Sequence, residues 1–267
     1  MICVECGQKG ITKLYSIYKS DYIKLTPCPR CFKICDKYVE YDSVILFLDL
    51  LLLKKGAYRH LAYNITESEI DANPESGFFA KHRYLLKLAS LITLLEVYLS
   101  WATYEKEFKH SQVILRVLSQ PLIIQYLFFI LEITVKNIIF NGTIYLISRY
   151  VFQLGLKLDS RIENMKDVRR TIKSEDGTQH YVSVLFITTL VAGAIKLFRI
   201  LTMIWPFDAS TMRQVLDLIS ILYIIEALQI VTQESYTSVI ATVIIAKSVA
   251  SIFVQKFDDF AVSYISL

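Results

Sequence analysis

The chain has 267 residues, 54% of them hydrophobic and 20% charged, with a formal net charge of +4. A mean hydropathy of +0.43 excludes an ordinary soluble globular domain, and so small a net charge gives no basis for binding nucleic acid. The apolar residues fall in long runs, which predicts a mostly α-helical, polytopic membrane bundle of about 4–5 spans behind a small N-terminal zinc ribbon.

Residues 1–42 form the predicted ribbon. Cys3-Val4-Glu5-Cys6 and Cys28-Pro29-Arg30-Cys31 are two Cys-x2-Cys pairs, the pattern of a structural tetrahedral site for one Zn2+ held by Cys3, Cys6, Cys28 and Cys31. Gly7 suits the positive φ that such a turn often needs, and Pro29 stiffens the second turn. Two disulfides are the alternative, disfavoured because nothing before Cys3 resembles a signal peptide. Between the pairs, residues 11–18 and 22–26 read as short strands, and Tyr38-Val39-Glu40-Tyr41 as a third. Some forty residues bury too little apolar surface to fold alone, so metal binding is expected to supply much of the folding free energy. Cys35 is expected to be a small buried side chain, with alternate ligand or reactive thiol as the other readings.

Residues 43–83 are expected to hold an interfacial helix and a linker. Asp42 is a fitting N-cap before an apolar run from Val44 to Leu53. Ten such residues rise only ~15 Å, half of a ~30 Å hydrocarbon core, so the helix is not expected to span. Lys54, Lys55, Arg59 and His60 follow, and an apolar helix with a basic end suits a membrane surface, or else packs on the ribbon or bundle.

The cysteine pairs, then Asp36-Lys37-Tyr38-Val39-Glu40-Tyr41-Asp42, then Ala57-Tyr58-Arg59-His60-Leu61 and Asn64, resemble the Arv-like family, the "ACAT-related enzyme required for viability" proteins. The resemblance covers about the first 65 residues. It implies a protein of the endoplasmic reticulum membrane, with the Golgi as a second location. It also implies a role in sterol distribution, sphingolipid balance and delivery of glycosylphosphatidylinositol intermediates, with no catalytic residue. Cys35 is outside the family pattern. Tyr58, Arg59 and His60 are the candidate lipid or partner contacts, since a guanidinium can clamp a phosphate through paired hydrogen bonds. Anchoring the helix end to lipid or to the ribbon is the alternative. Asn64-Ile65-Thr66 is a glycosylation sequon expected to stay unmodified, and residues 67–83 read as a linker.

Residues 84–147 carry the first membrane helices. One runs from Tyr84 to Ala102; a second lies around 120–140, with irregular ends at Pro121 and Asn141-Gly142 and room for a short re-entrant piece. Residues 148–181 form a basic loop with an amphipathic helix carrying Leu158, Ile162, Met165 and Ile172. Its many cations place it in the cytoplasm, and two spans back the N-terminus as well. Residues 182–254 hold three more spans, from Val182 to Trp205, Val215 to Val231 and Tyr236 to Val254, and 255–267 form a tail. Arg199 and Asp217 fall at matched depth on either side of the turn around Pro206 and are expected to pair, with Lys196 as competitor and snorkelling to the headgroups as the alternative.

These readings favour a non-enzymatic protein of lipid homeostasis whose partners are membrane lipids (sterol, phospholipid or a glycosylphosphatidylinositol intermediate), with lipid-synthesis proteins as further candidates. A lipid-modifying enzyme would draw its acid–base groups from Glu132, Asp217 or His60. It is disfavoured because the four histidines stand outside the apolar spans and no H-E-x-x-H or G-x-S-x-G motif occurs. A membrane-tethered adaptor whose ribbon binds protein is the third reading.

Overall fold

A computed structural model describes residues 1–17, 23–68, 83–106, 112–151, 174–201 and 209–265. Strands β1 (Tyr15–Ile17) and β2 (Ile23–Leu25) pair antiparallel, with Ser16 opposite Lys24. The expected third strand is instead a 3-10 turn over Lys37–Val39, because Asp36 caps it by accepting a hydrogen bond from the Tyr38 amide at 3.0 Å. That bond curls the chain and turns the Tyr38 ring inward, where it is buried.

Helix α1 (Ser43–Leu51) starts at Asp42 as expected, although the Asp42 side chain makes no capping bond to the backbone. Val44, Ile45, Phe47 and Leu48 are exposed along it and Leu52 just after it, so the helix carries an exposed apolar face. Helix α2 (Lys55–Arg59) runs directly into a π-helical turn, His60–Ile65. A π turn adds a residue to the ring and re-aims the side chains after it, and such turns recur at functional positions.

Among the described residues, five later helices are long and apolar enough to cross a membrane. The first span is α3 (Arg83–Lys106). The short α4 (Gln112–Leu118) falls where the sequence allowed for a second short or re-entrant piece. Gln125 closes it by donating to the carbonyls of Leu118 (2.9 Å) and Gln120 (2.8 Å) while accepting from the Trp101 indole at 2.8 Å. The second span is α5 (Leu122–Tyr150). Asn141-Gly142 does not break it, because the Asn141 amide donates back to the Asn137 carbonyl at 2.8 Å and its oxygen accepts from Thr189 on the third span. The third span is α6 (Ser174–Gly193), continuing as a 3-10 stretch over Ala194–Ile200. Then follow α7 (Ala209–Thr232) and α8 (Tyr236–Ile265). Helix α8 continues far beyond Val254, so most of the expected tail is helical. The amphipathic helix expected around Leu158–Ile172 lies outside the described residues.

Helix α5 packs along α3 and α8, α6 along α7, and α2 against α7. The main core gathers Tyr58 with Ile144, Leu185, Ile224, Leu228 and Val243. A neighbouring core joins Ile2 of the ribbon to Leu61, Val184, Ile187 and Val231. The ribbon therefore shares its interior with the bundle.

Candidate functional site

The two cysteine pairs fold as near copies of one another. In the first knuckle the Cys3 amide donates to the Gln8 carbonyl and the Gly7 amide to the Cys3 carbonyl, each at 2.9 Å. In the second, Cys28 donates to Lys33 at 2.7 Å and Phe32 to Cys28 at 3.0 Å. Both turns need a left-handed residue at the same place. Gly7 supplies it at φ 74°, and Phe32 supplies it at φ 58° against the steric preference of an L residue. The Phe32 ring is 84% exposed, so no packing of its own offsets that strain.

The four sulfurs lie within 4.8 Å of one another. Cys3 and Cys31 are 3.8 Å apart and Cys6 and Cys28 3.6 Å. Four thiolates bound at ~2.3 Å to a tetrahedral ion stand about 3.8 Å apart, so the donor set fits such an ion. None of the cysteines is in a disulfide. Burial pushes the Cys3 thiol up to about 12. Burial also acts on Cys28, but the amides of Cys31 and Arg30 and the thiols of Cys6 and Cys31 outweigh it and bring the group down to about 6. The knuckle amides are thus already aimed at a thiolate. Cys35 is fully buried beneath the cluster, pushed up to about 11 first by burial and then by Cys28. It serves as core, its amide donating to Thr26 and its carbonyl accepting from Val4, both at 2.9 Å.

Below the cysteines lies a polar clasp that the sequence reading missed. Asp36 has no solvent exposure, and three donors converge on its carboxylate. The Tyr38 amide reaches Oδ1 at 3.0 Å, while His60 Nδ1 and Asn64 Nδ2 each stand 2.6 Å from Oδ2. A carboxylate only accepts, so His60 carries its proton on Nδ1. Asn64 also accepts from the Ile2 amide at 2.8 Å and donates to its carbonyl at 3.1 Å, in the manner of a strand partner. The π turn lets His60, Tyr63 and Asn64 reach three different neighbours, with the Tyr63 hydroxyl donating to the Val231 carbonyl at 2.9 Å. Burial holds the Tyr63 hydroxyl up at about 12.

The expected lipid-facing cluster of Tyr58, Arg59 and His60 is placed otherwise. Tyr58 is buried in the main core and His60 is held in the clasp. Arg59 Nη1 donates to the carbonyls of Val4 (3.1 Å) and Glu5 (2.9 Å), inside the first Cys-x2-Cys turn. Gly7 fits here for a second reason, since a Cβ on it would come within 2.9 Å of the Gln233 amide in the α7–α8 turn and 3.6 Å of Arg59. A second pair of contacts secures α1. The Tyr38 hydroxyl donates to Asp49 Oδ2 at 2.9 Å and Lys54 donates to Oδ1 at 2.7 Å. The Lys54 bond is the main reason the Asp49 carboxyl sits below its ordinary range.

Within the bundle, Arg199 does not meet Asp217. It lies 3.9 Å from Glu96 on α3, and Lys196 lies 3.8 Å from the same oxygen. The 3-10 stretch sets this, because three residues per turn bring positions 196 and 199 onto one face, directed at α3. Glu132, Asp217 and His60 do not form one site among the described residues: His60 belongs to the clasp, Asp217 to α7 and Glu132 to α5.

The profile of the Arv1-like family matches residues 2–228. A Candida albicans protein named Protein ARV1 is 43% identical, over 97% of this chain and 92% of the relative. A Saccharomyces cerevisiae Protein ARV1 is 29% identical over the same shares. A human Protein ARV1 is 36% identical over 37% of this chain and 31% of its own. No solved structure matches the chain.

Proposed function

We propose a function from one premise: the chain belongs to the Arv1-like family. On our reading it is a non-enzymatic, multi-pass protein of the endoplasmic reticulum membrane, with the Golgi as a second location. It serves lipid homeostasis through sterol distribution, sphingolipid balance and delivery of glycosylphosphatidylinositol intermediates. The observation that carries the reading is the family match, which extends beyond the ribbon into the membrane bundle, to residue 228. The exposed apolar face of α1 supports it, since that face suits contact with lipid near the ribbon. The test is to reconstitute the purified chain and offer it labelled sterol, phospholipid and glycosylphosphatidylinositol intermediates. Stoichiometric binding or transfer is expected. Catalytic turnover of a lipid would overturn the reading in favour of an enzyme, and neither result would leave a protein-binding adaptor.

The ion in the ribbon is Zn2+ on this reading. Four protein thiolates fill a tetrahedral shell and leave no open position, which is the form of a structural rather than a catalytic site. The purified full-length protein should contain one zinc per chain. Cys28→Ser should lose it and lower the steady-state protein level; retention of zinc by that variant would sink the assignment. The metal-type spacing of the four cysteines and the basic 152–173 segment, two candidate spans away, support a cytoplasmic ribbon.

A further inference from the structure

Between α7 and α8 the bundle leaves an open cavity of about 420 Å3, lined by Ile221, Val243, Ile244, Lys247, Ser248 and Ser251. Lys247 stands inside the candidate span Tyr236–Asp259, whose apolar run ends at Val254. Counting ~1.5 Å per residue, it is ~17 Å from Tyr236 and ~11 Å from Val254. The hydrocarbon half-thickness is ~15 Å, and a lysine stem of roughly 6 Å does not reach either headgroup layer from there. Lys247 is exposed, and among the described residues no carboxylate lies within ion-pair distance of it. Lys136, also exposed at mid-span, differs in having Glu132 one turn away on its own helix. One turn from Lys247 on either side stand Val243, Ile244, Ala250 and Ser251, none of them anionic. A cation facing lipid at this depth is costly and marks a site whose partner is another group within the membrane.

We propose that this face, centred on Lys247, Ser248 and Ser251, docks a transmembrane helix of another membrane protein carrying an Asp or Glu at mid-bilayer depth. Three features select that occupant. The unpaired cation calls for an anion at its own depth, which a lipid phosphate in the headgroup layer does not supply. Ser248 and Ser251 are small and exposed, which lets a second backbone approach closely. A second copy of this chain is disfavoured, because a two-fold contact on this face brings Lys247 against Lys247.

The full-length protein, labelled and reconstituted in phosphatidylcholine bilayers, would be titrated with a synthetic Leu/Ala transmembrane peptide carrying one central Glu, and with the same peptide carrying Leu there. Energy transfer should show the Glu peptide associating about 3- to 30-fold more tightly. Lys247→Leu should abolish the difference and Lys247→Arg should keep it, with thermal unfolding unchanged in both. Ser248→Trp, which fills the cavity and leaves the cation, should also weaken the Glu peptide. Equal association of the two peptides, or a preference that survives Lys247→Leu, overturns the proposal. Efficient self-cross-linking of Ser248→Cys chains in the same bilayers overturns it in favour of a second copy. Displacement of the Glu peptide by phosphatidic acid at a tenth of the lipid overturns it in favour of a lipid.

Discussion

At the scale of single residues, Asp36 matters most after the cysteines. It is buried with three donors on its oxygens, so removing an acceptor strands polar groups away from water. Asp36→Asn turns one oxygen into an amide facing His60 and Asn64, and is expected to cost about 2–4 kcal/mol. Thermal unfolding and limited proteolysis of the ribbon would show it; a variant as stable and as protected as the parent would refute the clasp. Asp49 gives a pH test with a definite sign. Its folded value is depressed, so its contribution is present above the unfolded value of about 3.9 and is lost as pH falls through the folded one. The stability gap between the parent and Asp49→Asn should therefore be constant from pH 7 to about 5 and close below about 4. The four-cysteine cluster was legible because each Cys-x2-Cys pair is a local signal. The clasp was not, because Asp36 and Asn64 are 28 positions apart and nothing local in either announces the other. The available hint was that Asp36, His60 and Asn64 all stand in the motifs that carry the family resemblance, where a structural role was the alternative to lipid contact.

At the scale of elements, hydropathy located the spans because a membrane helix is a long uniform signal, while their ends depended on partners the sequence does not show. Asn141-Gly142 reads as a break in water but holds within α5, where Asn141 bonds back to its own helix and to Thr189. Tyr38–Tyr41 has strand-forming composition, yet one side-chain bond from Asp36 makes it a turn. Depth matching alone paired Arg199 with Asp217; rotation about the helix axis decides the partner, and the 3-10 stretch sets that rotation. The element-scale prediction follows from Glu96, which faces both Lys196 and Arg199. Glu96→Gln removes the carboxylate that Lys196 and the buried Arg199 both approach and should destabilise by about 1–3 kcal/mol, whereas Asp217→Asn should cost less. Protein level and thermal unfolding in detergent measure both. Recovery of an Arg199→Asp chain by Asp217→Arg would contradict the Glu96 assignment.

At the scale of the molecule, the five candidate spans among the described residues, each crossing once, would put the two ends of the chain on opposite sides of the membrane. With a cytoplasmic ribbon, a glycosylation tag added after Leu267 should be modified and one added before Met1 should not. Asn64 should remain bare in either orientation once folded, because its side-chain amide is buried and bonded to Ile2 and Asp36. A glycosidase-sensitive band lost in Asn64→Gln would contradict both the burial and the topology. The ribbon's seat on the bundle has a thermodynamic consequence. Ile2 packs on Val184 and Val231, and Gly7 rests against Gln233, so a ligand of the ribbon is by mass action a ligand of the whole folded chain. With Zn2+ held there, each tenfold fall in free zinc within the saturating range withdraws about 1.4 kcal/mol from the coupled unit. Cellular half-life of the intact protein should therefore shorten during zinc depletion and recover on resupply, while a Cys28→Ser chain, which has already lost a thiolate of the set, should not respond. The membrane bundle would then report the metal supply of the compartment its ribbon faces.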